Sequence, residues 1–137
     1  MHHRSTLLLL AGMLLAGCQA VQPQPLTTVP PANAQPGEVA ASYLQALVDG
    51  DCAKARALTA PNSAAPLQPF CDHPRVTGFS ELSPEGAAPN GTERVYAVQV
   101  TIRGGDISLP DGDHTMFLQV LLQPGGAWRV TGLGSGP

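Results

Sequence analysis

A chain of 137 residues, 43% hydrophobic and only 12% charged, has room for one domain plus a short appendage. Seven basic against ten acidic residues give a formal charge of −3, and Lys54 is the single lysine, so no basic surface is offered to nucleic acid or anionic headgroups. Aromatic residues make up 4% of the chain, which leaves no platform for stacking bases.

Met1-His2-His3-Arg4 carries positive charge and precedes an apolar run from Leu7 to Leu15. That run is shorter than the about 20 residues needed to span a bilayer, and its length suits the apolar region of a secretory leader. On a leader that is removed, the paired histidines are neither a metal site nor a tag. Leu15-Ala16-Gly17-Cys18 follows, with small residues directly before the cysteine. The combination of charge, apolar run, tetrapeptide and polar continuation resembles the lipobox leader of bacterial lipoproteins. The resemblance implies loss of residues 1–17 as a signal peptide and a diacylglycerol on the sulfur of Cys18. It places the protein on the extracytoplasmic side of a membrane of the bacterial cell envelope, held there by lipid. Gln19 is not the aspartate that marks inner-membrane retention in some lipoprotein sorting systems, which points to an outer membrane where the cell has one.

From Gln19 to Gly37 the chain has five prolines, at 23, 25, 30, 31 and 36, and no apolar period. Proline favours extended polyproline II, so residues 18–37 read as the lipidated cysteine and a semi-rigid linker. At about 3.1 Å per residue the linker reaches up to roughly 60 Å from the membrane.

Three cysteines are present, and assigning Cys18 to lipid leaves Cys52 and Cys71 to pair in an oxidising compartment. The bridge closes a loop of about 20 residues, worth on the order of 3 kcal/mol. Their spacing is far from a CxxC redox motif, and two cysteines are too few for a structural zinc site.

Residues 38–137 read as one α+β domain. Val39, Tyr43 and Leu47, with Ala40, Leu44 and Val48 beside them, mark an amphipathic helix from Glu38 that ends at Gly50. Asp51 is placed to cap a second helix, Cys52 to about Thr59, with Ala53, Ala57 and Leu58 expected to be buried. Residues 60–70 hold three prolines and read as loop.

The period then changes to two. Residues 75–81 suggest a short strand. In residues 94–103, Tyr96, Val98, Val100 and Ile102 alternate with Ala97, Gln99, Thr101 and Arg103. In residues 114–123, Met116, Leu118, Val120 and Leu122 share one face, while Phe117 and Leu121 make the second face partly apolar. Pro124-Gly125-Gly126 is a turn, and residues 127–133 complete a hairpin. Two N-terminal helices packed on one face of a curved antiparallel sheet of three to four strands is the expected arrangement. This order, with Val48-Asp49-Gly50-Asp51-Cys52 ending the first helix and Trp128-Arg129-Val130 in the last strand, resembles small NTF2-like (cystatin-like) lipoproteins. Many members of that superfold form a cone with a pocket between sheet and helices.

Chemistry is sparse. Some NTF2-like enzymes pair a carboxylate base with a hydrogen-bond donor, a role in which Tyr96 can be cast, but Asp49 and Asp51 already have helix-terminus roles. Asp72-His73, and Asp106 with Asp111-Gly112-Asp113-His114, are dense in ligand atoms; the second does not follow the EF-hand pattern and reads as a hairpin turn. Asn90-Gly91-Thr92 also reads as a turn. There is no G-x-S-x-G elbow and no phosphate loop, so no cofactor, metal or catalytic residue is assigned. The expected function is a noncatalytic binding or structural module that meets a protein partner or a small apolar ligand through Tyr43, Tyr96, Phe117, Leu121 or Trp128. The alternatives are a pocketed enzyme acting on a hydrophobic small molecule, or a subunit of an envelope complex.

Overall fold

The computed structural model describes residues 29–61, 63 and 70–136. Helix α1, Pro36–Asp49, begins two residues before the expected Glu38 because Pro36 can occupy the first turn, where its missing N–H costs nothing. Glu38 Oε2 accepts from the Gln35 backbone N–H at 2.8 Å, satisfying one donor ahead of that turn. Gly50 ends the helix at φ 70°, in the left-handed region, as its position after Asp49 requires. No basic residue lies in the last turn of α1. Arg75, from the first strand, supplies the charge instead, donating to Val48 O at 3.1 Å.

Helix α2, Cys52–Ala57, is capped by Asp51, whose Oδ1 accepts from Lys54 N at 2.9 Å. Lys54 and Ala55 are its buried positions and Leu58, the C-cap, is buried just beyond it, while Ala53 and Ala57 are exposed, which corrects the sequence expectation for the two alanines. A single methyl group contributes too little burial to orient so short a helix. Its rotation follows instead from Cys52, Ala55 and Leu58, spaced by three on one side, with Cys52 tied by its disulfide.

Five strands form one antiparallel sheet: β1 Arg75–Phe79, β2 Ser83–Ala87, β3 Glu93–Arg103, β4 Gly112–Leu122 and β5 Trp128–Gly134. The expected three to four strands become five because residues 83–87, Ser-Pro-Glu-Gly-Ala, pair with the first half of β3. Pro84 has no N–H to donate, which an edge strand tolerates. β1 pairs with the second half of β3, so β1 and β2 lie end to end along one edge. Ser80 bridges the break between them, giving its N–H to Gln99 O at 2.8 Å and accepting Gln99 N at its Oγ at 3.0 Å.

β4 follows β3, and β5 follows β4. Register shifts at Val76/Gly78, Pro84/Gly86 and Gln119/Val120 bend the strands locally, and the sheet is strongly curled, as a half-barrel. Part of the far edge of β5 is covered: Ala60 N donates to Val130 O at 2.8 Å and Val130 N to Leu58 O at 2.9 Å.

α1 packs against β1, β4 and β5. Its buried side, Val39, Ala40, Tyr43, Leu44, Ala46 and Leu47, meets the alternating inward residues of β3 and β4. The turn at Pro31–Ala34 precedes α1, and Ala34 is buried in the same cluster. The leader, Cys18 and most of the proline-rich linker lie outside the described residues.

Candidate functional site

The concave side of the sheet is where a pocket of this architecture would lie. Here it holds the side chains of Tyr43, Leu44, Leu47, Ile102 and Leu118, all fully buried. Tyr96 is also buried, and its hydroxyl lies against the start of α1, where a β-carbon on Gly37 would sit 3.5 Å from Tyr96 Oη. At the rim, the Arg94 guanidinium lies over the Trp128 ring at 5.7 Å, and Arg94 Nη1 donates to Glu93 O at 2.8 Å and Gly91 O at 3.2 Å. Among the described residues the one buried charged side chain is Lys54, and no carboxylate is buried.

Tyr43 presents a polar atom to an apolar core. Its hydroxyl is buried with no hydrogen-bond partner among the described residues, and burial pushes its pKa well above the ordinary phenol value. Burial also raises the pKa of Tyr96, with Arg94 opposing the shift. An unfolded tyrosine ionises near pH 10, so above that pH the native state holds a proton that the unfolded chain has released. Stability from Tyr43 is therefore intact below about pH 10 and falls at up to about 1.4 kcal/mol per pH unit above it. Tyr43→Phe is expected to retain or slightly raise stability at pH 7, because an unpartnered buried hydroxyl is removed. It should also flatten the decline between pH 10 and 11 in urea unfolding. An unchanged alkaline slope would contradict the assignment.

The acidic and imidazole groups near residues 104–114 close a loop between β3 and β4. Asp106 Oδ1 accepts from Ser108 Oγ, Ser108 N and Leu109 N, and these bonds hold its carboxyl below the usual range, the Ser108 hydroxyl contributing most. Asp111 Oδ1 accepts from Gly105 N at 2.9 Å, Asp113 Oδ1 from Thr101 Oγ1 at 2.6 Å, and His114 Nε2 lies 2.7 Å from Pro110 O. No group of three or more metal-ligating side chains gathers among the described residues. Gly105 is required for closure, since a β-carbon there would lie 1.9 Å from Leu109 O. Asn90-Gly91-Thr92 is likewise a turn, in which Asn90 Oδ1 accepts from Thr92 N and Oγ1.

Cys52 and Cys71 form a disulfide, with Cα atoms 5.6 Å apart. Cys18 lies outside the described residues. The five aromatic and aliphatic residues singled out in the sequence divide among three places. Tyr43 and Tyr96 are in the core, Trp128 is half-buried at the rim, and Phe117 and Leu121 are on the convex face.

That convex face carries a groove of about 330 Å³, lined by Glu93, Val95, Phe117 and Gln119 with Gly132 and Gly134 opposite. Register places Ala97, Phe117 and Gly134 in one row across three strands, Val95, Gln119 and Gly132 in the next, and Glu93, Leu121 and Arg129 in the third. Gly132 and Gly134 leave the β5 side of the groove without side chains. In the sequence, Thr-Gly-Leu-Gly-Ser-Gly over 131–136 is the signal for this floor, a period-two glycine pattern easily taken for turn residues.

No known protein family, curated protein or solved structure matches the chain.

Proposed function

We propose that this chain is a lipid-anchored protein of the bacterial cell envelope that displays a noncatalytic, NTF2-like binding domain on a short spacer. The observation that carries the reading is the fate of the cysteines. Of three in the chain, Cys52 and Cys71 are consumed by their disulfide, leaving Cys18, in Leu15-Ala16-Gly17-Cys18, for lipid. Two or three acyl chains hold a protein stably at a membrane, at about 0.8 kcal/mol per buried methylene. The helices against a curled antiparallel sheet support the NTF2-like comparison at the level of architecture. Large apolar side chains on the concave side support a role for the outer surface rather than for a catalytic interior.

Metabolic labelling of the producing bacterium with a palmitate analogue tests the anchor. The wild-type chain should take up label and sediment with membranes, whereas Cys18→Ala should be unlabelled. Equal labelling of the two would refute it.

A further inference from the structure

We propose that the convex face of the sheet is a homodimer interface, with β4 of one copy stacked on β4 of a second. This deepens the binding-module reading by naming the partner, and it rests on that reading; it does not depend on the lipid.

Leu121 is one of three exposed large hydrophobic residues among those described, at 36% exposure, and Phe117 lies four residues away on the same face, with Gln119 between them. Val95 and Ala97 extend the apolar surface onto β3, while Gly132 and Gly134 lower it on β5. The charges beside Leu121 make the face self-complementary. Glu93 pairs with it in register on one side and Arg129 on the other, so the backbones of the acid and the base are two strand spacings, about 10 Å, apart.

Neither charge belongs to an ion pair among the described residues. Glu93 Oε1 accepts from Gln119 Nε2 at 2.5 Å, and Arg129 Nη1 donates to Trp128 O at 2.7 Å. A two-fold axis nearly parallel to β4, midway between two facing sheets, carries β3 of one copy over β5 of the other. Glu93 then faces the second copy's Arg129, twice, with Leu121 against Leu121 between the pairs. An axis perpendicular to the strands would set Glu93 against Glu93, so the charge pattern selects the first axis. Stacked sheets cross at about 30°, so the axis is inclined about 15° to β4 and passes beside Leu121, which keeps the two β4 strands close at the Phe117–Leu121 end and lets them diverge toward Asp113.

The test uses the full chain in intact cells. Leu121→Cys should yield a disulfide-linked dimer on a non-reducing gel, while Ile107→Cys, fully exposed at the β3–β4 loop, should not. Glu93→Arg or Arg129→Glu added to Leu121→Cys should each lower the cross-link yield about tenfold, and the two together should restore it. A Leu121→Cys yield no greater than that of Ile107→Cys, cross-linking to a heavier protein instead, or failure of the double charge swap to restore the dimer would overturn the proposal. Light scattering of the unsubstituted full chain in detergent provides a reading independent of any variant's folding. A protein mass of two copies is expected, and a mass of one copy overturns it. Palmitate labelling is unaffected by either result, so failure of the dimer and failure of the anchor are separable.

Discussion

Replacing Cys52 and Cys71 together by serine is expected to lower stability by about 3 kcal/mol. The bridge joins residues 19 apart, and the entropy it removes from the unfolded chain scales with that loop. For a folded unit of about 100 residues, the loss corresponds to a fall in melting temperature of roughly 15 °C. It is a large share of the 5–15 kcal/mol typical of a whole domain. The effect should concentrate on α2, whose first residue is Cys52 and whose six residues cannot sustain a helix alone. Thermal unfolding of the full chain in mild detergent, with and without reductant, measures it. A reductant-insensitive melting temperature in the wild type would contradict the prediction.

Leu118→Ala is expected to cost about 2–5 kcal/mol. Leu118 is fully buried at the centre of β4, paired with Tyr96 on one side and Leu133 on the other. Truncation forfeits the transfer energy of its side chain and leaves a cavity that the paired strands cannot close. Leu121, three residues along the same strand, points to the opposite face, and Leu121→Ala should change the intrinsic stability of a protomer by no more than about 0.5 kcal/mol. Urea unfolding of the two variants at low protein concentration compares them directly. Equal losses would mean that the register of β4 differs from the one described.

Much of this fold is legible in the sequence because its hydrophobic periods are clean. The rows Val39–Tyr43–Leu47 and Ala40–Leu44 specify α1, and the alternation from Tyr96 to Ile102 and from Met116 to Val120 specifies the inward faces of β3 and β4. Gly50 and Asp51 mark the junction of the helices through backbone chemistry that depends only on neighbours. β2 is hidden because all five of its residues are exposed and carry no apolar signal; its pairing comes entirely from the free edge of β3. The rotation of α2 is hidden for a related reason, since alanine is too small to declare a face.

The candidate surface was legible only in part. Phe117 and Leu121 stand out as apolar residues on the wrong phase of β4. Glu93 and Arg129 do not, because their place beside Leu121 depends on cross-strand register fixed by the β4–β5 turn and the bulge at Gln119/Val120. The loop from Gly104 to Asp111 illustrates the converse. Its carboxylates look like ligands in sequence, yet Asp106 and Asp111 are engaged by backbone N–H groups of their own loop.

The lipid on Cys18 is the central claim, and the intact mass of the protein extracted from bacterial membranes tests it most directly. The expected mass is that of a chain that lacks residues 1–17, begins at a diacylglyceryl-modified Cys18, and is two hydrogens lighter for the Cys52–Cys71 bridge. A chain that retains Met1, or one cleaved with an unmodified sulfur at Cys18, would contradict it.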